Sequence, residues 1–260
     1  MAHTIAVHSF RGGTGKSNLI ANLATTMMLQ GKRVGIVDTD IQSPGIHVLF
    51  GLDSEQINYT LNDYLWEKCH IKDTVYPVSD GLKAQNINPD QKHGDIFLIP
   101  SSIKVGDISR ILREGYDIVR LTEGFKDITA CLNLDYLLID THPGLNEETL
   151  ISIGISDTVI IILRPDNQDF QGTAVTVDVA RKLDVANMLL VVNKALPAFD
   201  FVDLQQQVEA NYNATVAGIL PLSEEMVQLG SKGIFCLNYP EHSISKVIKG
   251  VVEQIIGSEK

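Results

Sequence analysis

The start of the chain joins an apolar run, a glycine-rich segment and an amphipathic pattern, and this order limits the possible folds more than any other feature. Residues 4–9 are mostly apolar and suit a buried strand. Residues 19–28 carry apolar side chains at helical spacing, and Gly31 follows them. The segment between reads Phe10-Arg11-Gly12-Gly13-Thr14-Gly15-Lys16-Ser17-Asn18. A strand, a glycine loop and a helix in this order predict a phosphate-binding loop.

The residue types in this loop suit a bound anion. Glycines allow backbone N–H groups to turn inward, and the helix N-terminus adds partial positive charge. Lys16 can neutralise the β- and γ-phosphates of a nucleotide, and Ser17 can ligate Mg²⁺. Phe10 stands where the common form of the loop has its first glycine. An ordinary glycine turn between a strand and a helix is the alternative.

The segment from Arg11 to Ser17 resembles the deviant Walker motif of the ParA/MinD family of ATPases, in which a lysine takes the place of Arg11. The resemblance implies ATP and Mg²⁺ as cofactors and an ATP-dependent homodimer, in which that lysine reaches the partner's nucleotide. We expect Arg11 to substitute for the lysine, with a planar fork for phosphate oxygens. The alternative is that Arg11 faces solvent or pairs with a local acid. The loop residues expected at the nucleotide are Gly12, Gly13, Thr14, Gly15, Lys16, Ser17 and Asn18.

Residues 33–45 resemble the second strand and switch I of the family, whose usual form is Asp-x-Asp-x-Gln. By this resemblance Asp40 positions the attacking water, so that Lys16, Asp40 and Arg11 are the predicted catalytic residues. Asp38 is expected to support the metal shell. Either aspartate could instead cap the following turn.

Residues 135–144 form an apolar run that ends in Asp140, which resembles a Walker B strand. Asp140 would hold Mg²⁺ through water, so that Ser17, Asp38 and Asp140 are the predicted metal residues. The resemblance places Gly144 in switch II, where its backbone N–H senses the γ-phosphate. His142 could titrate near neutral pH, but an uninvolved loop histidine is the favoured interpretation.

Two later segments contribute mainly through their order in the chain. Asn193 follows an apolar run, and the family's asparagine at this place hydrogen-bonds adenine. Pro221 ends another run and resembles the proline whose following loop packs on the base.

Length and pattern predict an α/β fold. The chain has 260 residues, of which 44% are hydrophobic. We expect residues 1–260 to form a single-domain P-loop fold, a mostly parallel twisted sheet with helices on both faces. The predicted strands lie at about 4–9, 33–38, 96–100, 136–140, 157–163, 188–193 and 215–221. Residues 80–95 show no clear period and are expected to form a surface loop.

Charge and cysteine content narrow the partners. The net charge of −11 disfavours nucleic acid as a partner, and the best candidates for a basic patch, among them Arg181 and Lys182, are expected to be ordinary solvated residues. The apolar stripe from Ile244 to Ile256 has no basic, aromatic-rich opposite face and favours a core helix over a membrane helix, and no clear membrane-targeting tail follows it. The three cysteines lack ligand spacing, and the chain is expected to be cytoplasmic.

The function that this resemblance implies is an ATP-hydrolysing ParA/MinD-like switch that dimerises on ATP. It would position or partition a cellular cargo through an unidentified activator or cargo-adaptor protein. Two alternatives are a regulatory binding module with little hydrolysis and a membrane-cycling regulator of cell division or flagella. Cluster carriers, tyrosine autokinases and amide ligases of the same superfamily are disfavoured. The first would need cysteines at the dimer face, and the second a tyrosine-rich tail.

Overall fold

The apolar runs predicted from the sequence are strands of one sheet. The computed structural model describes residues 2–83 and 92–257, and within these ranges the seven predicted strands all form and one short edge strand joins them. The strands are β1 (His3–His8), β2 (Arg33–Asp38), β3 (Tyr76–Pro77), β4 (Asp95–Ile99), β5 (Tyr136–Asp140), β6 (Thr158–Leu163), β7 (Asn187–Ala195) and β8 (Thr215–Pro221).

The sheet has the order β3-β4-β2-β5-β1-β6-β7-β8, and every neighbouring pair except β3 with β4 is parallel. The predicted mostly parallel sheet is therefore confirmed. Only the edge strand β3 is absent from the sequence prediction. It contains two residues, one of which is a proline, and so it carries no alternating pattern.

Helices cover both faces of the sheet, as predicted. They are α1 (Lys16–Leu29), α2 (Ile46–Leu49), α3 (Leu61–Leu65), α4 (Ser79–Lys83), α5 (Val105–Glu114), α6 (Ile118–Leu132), α7 (Glu147–Gly154), α8 (Asn167–Lys182), α9 (Phe201–Tyr212), α10 (Glu224–Leu229), α11 (Phe235–Asn238) and α12 (Ser243–Gly257). Alternate side chains of β1 face the two layers: Ile5 and Val7 belong to the apolar cluster that includes α1 and α12, whereas Ala6 belongs to the cluster that includes α8 and α9.

The last helix, α12, belongs to the core. Ile244, Ile248, Val251, Val252 and Ile255 are all buried in the same cluster as α1. The prediction of a core helix is confirmed, because the apolar stripe meets protein along its length. Among the helices of the described ranges, none combines the length and hydrophobicity needed to cross a membrane.

The predicted surface loop at residues 80–95 is only partly testable. Helix α4 occupies its first residues and β4 begins at Asp95, so the period-free segment is shorter than expected. Its middle, residues 84–91, lies outside the described residues.

Parallel pairing brings the chemical motifs to one edge of the sheet. Asp38 and Asp140 are direct register partners on β2 and β5, and Asp140 also pairs with Val7 on β1. The glycine loop leaves β1 one residue later. The carboxyl ends of these three central strands therefore meet, which is where parallel α/β sheets bind ligands.

Candidate functional site

The glycine loop connects β1 to α1 and contains two glycines with left-handed backbone. Gly13 has φ +75° and Gly15 has φ +101°, a region that only glycine enters without strain. No side chain caps the N-terminus of α1, and its first turn holds no acidic residue. The first amide groups of the helix therefore keep their positive partial charge for a ligand.

Lys16 lies inside this loop. The residue is 7% exposed, and Nζ donates to Ser9 Oγ at 3.3 Å. Ser9 Oγ in turn donates to the Arg11 carbonyl at 2.7 Å. Ser17 and Asn18 follow in the first turn of α1. The seven predicted loop residues are therefore contiguous around one ammonium group and one helix N-terminus.

Asp140 is the least satisfied charged group at this edge. It is buried, it accepts a hydrogen bond from the Ser17 hydroxyl, and its Oδ1 has no hydrogen-bond partner. Burial raises the pKa of Asp140 to about 6, while the Ser17 hydrogen bond and the Lys16 charge oppose that shift. A buried carboxylate oxygen without a donor suits a cation.

Asp38 shapes the loop that carries Asp40. Its Oδ1 accepts the Asp40 backbone N–H at 3.0 Å, and its Oδ2 accepts the Gly45 N–H at 3.3 Å. Burial raises the pKa of Asp38 well above its ordinary value, and the charges of Asp140 and Asp40 raise it further. The structure thus shows the turn-capping alternative for Asp38, directly beside the predicted metal position.

Asp40 contacts His142, contrary to the sequence interpretation. His142 Nδ1 and Asp40 Oδ1 are 2.7 Å apart, and Ser43 Oγ lies 3.0 Å from the same oxygen. The expectation that His142 is an uninvolved loop residue is wrong. The two residues are far apart in sequence, and only the parallel pairing of β2 with β5 brings their loops together.

His8 is a residue of this site for which no role was predicted from the sequence. It ends β1, is fully buried, and its Nδ1 lies 2.8 Å from Thr141 Oγ1. Because Thr141 Oγ1 donates to the Val7 carbonyl at 3.0 Å, the imidazole is the donor to Thr141. Burial, with the Lys16 charge second, lowers the pKa of His8 to about 3, so the ring is neutral. A polar residue ending an apolar strand just before the loop was the available signal.

The segment after β5 is hydrogen-bonded to the glycine loop. The Gly144 N–H, which the resemblance assigns to sensing phosphate, donates to the Ser9 carbonyl at 3.1 Å. This contact would have to break before that N–H could meet a phosphate oxygen.

Arg11 lies on the other side of the loop, away from the carboxylates of β2 and β5. Its Nη1 is 3.4 Å from Asp169 Oδ1 and 3.8 Å from Asp166 Oδ1, at the N-terminus of α8. The side chain is 40% exposed. In this conformation Arg11 pairs with local acids, which was the alternative weighed for it.

Asn193 contacts the loop itself. Its Nδ2 donates to the Thr14 carbonyl at 2.7 Å, and its Oδ1 accepts the Lys194 N–H at 2.9 Å. Lys194 Nζ donates to the Gly13 carbonyl at 2.7 Å. The contact is a second reason why position 15 requires glycine, because a Cβ there would lie 2.6 Å from Asn193 Nδ2.

Pro221 lies at the same edge of the sheet as Asn193. It ends β8 and pairs in register with Ala195 at the end of β7. The two residues expected at the base are therefore carried by neighbouring strands. Lys194, which the sequence left without a role, joins them through its contact with the loop.

The comparisons with known proteins cover most or all of the chain. Residues 2–191 match the AAA domain family. An uncharacterized ATP-binding protein of Methanocaldococcus jannaschii is 25% identical over 260 residues, 100% of this chain and 89% of that protein. An iron-sulfur cluster carrier protein of the same organism is 24% identical over 275 residues, 99% of this chain and 87% of that protein.

A solved structure shares the fold. The cell division ATPase MinD of Pyrococcus furiosus superimposes with a TM-score of 0.80 at 19% identity, covering 99% of this chain and 100% of that one. The family match spans more than half of the chain, and the glycine loop and strand-end aspartates lie inside it. The chain belongs to the AAA domain family, and it shares the fold of the MinD ATPase.

Proposed function

We propose that this protein hydrolyses ATP, dimerises when ATP binds, and uses the cycle to position or partition a cargo through a partner protein. The observation that carries the proposal is the convergence of Lys16, Asp40 and Asp140 at the carboxyl ends of β1, β2 and β5. A buried ammonium at a helix N-terminus suits the β- and γ-phosphates. A partly buried carboxylate at the same edge of the sheet suits a water nucleophile.

Mg²⁺ fits the donor set of this site. The Ser17 hydroxyl and the unpartnered Oδ1 of Asp140 are hard oxygen ligands of the kind that Mg²⁺ takes, directly or through water. Asp38 would support them by fixing the loop between β2 and α2. When bound with ATP, the ion would neutralise charge on the β- and γ-phosphates.

The switching part of the proposal rests on contacts that ATP would have to exchange. The Gly144 N–H is hydrogen-bonded to the Ser9 carbonyl, and Arg11 is paired with Asp166 and Asp169. Switching between two states requires contacts that differ between them. In the proposed ATP dimer the Gly144 N–H meets the γ-phosphate, and Arg11 reaches the partner's nucleotide. Asn193 and Pro221 would hold the base, and Thr14 and Asn18 would lie against the nucleotide with the other loop residues.

Cluster transfer, suggested by the names of several relatives, has less support in the cysteines. Burial raises the pKa of both Cys69 and Cys236 to about 11, and Cys131 is exposed at the end of α6. Thiolates are the ligands of iron–sulfur clusters. Within the described ranges, no three or more His, Cys, Asp or Glu side chains form a group that could hold a metal ion. Iron and sulfide analysis of anaerobically purified protein tests this choice, and a stoichiometric cluster would overturn it.

Hydrolysis is tested by Lys16→Ala and Asp40→Ala. Loss of the phosphate-binding cation or of the water-positioning carboxylate should each lower kcat by about 10²–10³-fold. Lys249→Ala and Asp178→Ala are matched controls, since both side chains are exposed on helices away from the loop. Steady-state phosphate release measures the effect. Turnover that survives both site variants would contradict the assignment.

The dimer is tested by light scattering with ATP and Mg²⁺. The Asp40→Ala protein should accumulate as a dimer because the ATP state persists, and Arg11→Ala should remain a monomer. An undiminished dimer in Arg11→Ala would exclude a role for this arginine across the interface.

Affinity capture with Asp40→Ala in the presence of ATP should retain the partner protein, and wild type with ADP is the matched control.

A further inference from the structure

Two arginines share one buried carboxylate beside the glycine loop. Asp169, in the first turn of α8, has a side chain that is 3% exposed. Arg164 holds it firmly: the backbone N–H donates to Oδ2 at 2.9 Å and Nε donates to the same oxygen at 3.1 Å. Arg11 and Arg164 Nη2 both approach Oδ1, each at 3.4 Å.

The two arginines are not held equally. Arg11 makes only longer contacts, at 3.4 Å to Asp169 and 3.8 Å to Asp166, and its side chain is 40% exposed against 28% for Arg164. Arg164 also reaches Asp166 at 3.2 Å. If Arg11 leaves, both carboxylates keep a cation, so no unpaired buried charge remains.

The residue before Arg11 is docked on the same helix. The Phe10 ring packs against Gly172 of α8, where a Cβ would lie 2.1 Å from Phe10 Cδ1. Helix α8 thus holds the entry to the glycine loop by one apolar and one ionic contact. The apolar contact fixes the backbone, and the ionic contact decides where the Arg11 side chain points.

We propose that Asp166 and Asp169 are positioning residues that hold Arg11 within its own subunit until ATP binds. Arg164 remains paired with both carboxylates after Arg11 leaves, and it therefore lowers the free energy required to release Arg11. This inference rests on the proposed function, because release matters only if Arg11 acts across a dimer. It specifies how that step is regulated. The ATP concentration needed for dimerisation depends on how the two arginines are paired with the two aspartates.

Two substitutions should shift this requirement in opposite directions. Asp166→Asn removes a partner of Arg11 while an amide at the helix N-cap keeps accepting the Gln168 and Asp169 N–H groups. Arg164→Gln removes the replacement cation, so departure of Arg11 would strand the buried Asp169 carboxylate. We expect half-maximal dimerisation at an ATP concentration about 2–5-fold lower for Asp166→Asn, as suits an exposed ion pair. For Arg164→Gln we expect the ATP concentration at half-maximal dimerisation to be higher by about tenfold or more.

The measurement is light scattering in an ATP titration with Mg²⁺, and Asp178→Asn, an exposed acid on the same helix, is the control. Shifts in the same direction, or no shift in either variant, would overturn the proposal. Arg164→Gln/Asp169→Asn restores charge balance and should return the requirement to near or below the wild-type value. If Arg164→Gln does not fold, the Asp166→Asn shift and the measurement below decide.

A second measurement separates this inference from the proposed function. ¹⁵N relaxation of the Arg11 Nε–H group without nucleotide should show a restrained side chain in wild type and a more mobile one in Asp166→Asn. This result does not depend on hydrolysis or dimerisation. If Arg11→Ala dimerises normally while Arg11 is restrained, the dimer role fails but the holding contact stands. An Arg11 side chain as mobile in wild type as in the variant would refute the holding contact.

Discussion

The two sides of the ligand-binding edge balance charge in different ways. On the side of β2 and β5, Asp38 and Asp140 are buried next to each other, and one oxygen of Asp140 has no donor. On the side of α8, the buried Asp169 is shared by Arg11 and Arg164. The first side holds excess negative charge, whereas the second is internally paired.

This difference separates binding from switching. Uncompensated buried charge is costly, so the β2–β5 side gains most from an added cation. A paired network is already satisfied, so the α8 side can change only by exchanging one partner for another. A ligand should therefore stabilise the first side and rearrange the second.

The largest effect should come from removing the excess charge. Asp140→Asn should lower Mg²⁺-dependent turnover by about 10²–10³-fold, because the predicted metal position loses its carboxylate. The same change should raise the free energy of unfolding without nucleotide by about 1–3 kcal/mol, because one of two adjacent buried charges disappears. Urea titration and phosphate release measure the two effects.

The control for this variant is Asp178→Asn, which is exposed on α8 and should change neither quantity. An Asp140→Asn protein that is less stable than wild type would mean that the carboxylate is compensated by groups already in the fold. The contrast between the two sides would then be lost.

The packing on the α8 side should give the next largest effect. Gly172→Ala places a methyl group 2.1 Å from Cδ1 and 2.7 Å from Cβ of Phe10, so the whole ring must move. We expect a loss of about 1–3 kcal/mol in the free energy of unfolding from this overpacking. Weaker ATP binding should accompany it, since Phe10 leads into the glycine loop.

A second glycine and a double variant make this test specific. Gly106→Ala in α5 adds a Cβ with nothing within 4 Å and should be neutral or stabilising. Phe10→Ala/Gly172→Ala should be less destabilised than the sum of its single changes, because the clash is gone. Strict additivity would show that the ring and the helix do not press on each other.

The sequence predicted the sheet and the position of the site for clear physical reasons. Continuous apolar runs identify strands buried on both faces, and parallel strands bring their carboxyl ends to one edge. Lys16, Asp40 and Asp140 could therefore be placed together without coordinates. The edge strand β3 could not, because two residues carry no periodicity.

Contacts between loops could not be predicted from the sequence, for a different reason. The His142–Asp40 contact and the pairing of Arg11 with Asp169 depend on side-chain rotamers at the ends of strands that are distant in sequence. Local pattern does not encode such pairings. An acidic residue in the first turn of a helix, such as Asp169, indicates a helix start and does not identify its ionic partners.

The smallest predicted effect tests the connection between β7 and the glycine loop. Lys194→Ala removes the hydrogen bond from Nζ to the Gly13 carbonyl, which is worth about 1 kcal/mol. Because this bond holds the glycine loop in place before ATP binds, the less ordered loop of the variant should raise the Kd for ATP about 3–5-fold. Lys194 also has φ +57°, which is unfavourable for a residue with a side chain. Lys194→Gly should therefore weaken ATP binding to the same degree. Its free energy of unfolding should be up to about 1 kcal/mol higher than that of Lys194→Ala. Isothermal calorimetry and urea titration measure the pair, with Lys249→Ala as control. If both variants bind ATP as wild type does, Lys194 rests on the loop without positioning it, and Asn193 alone joins β7 to the site.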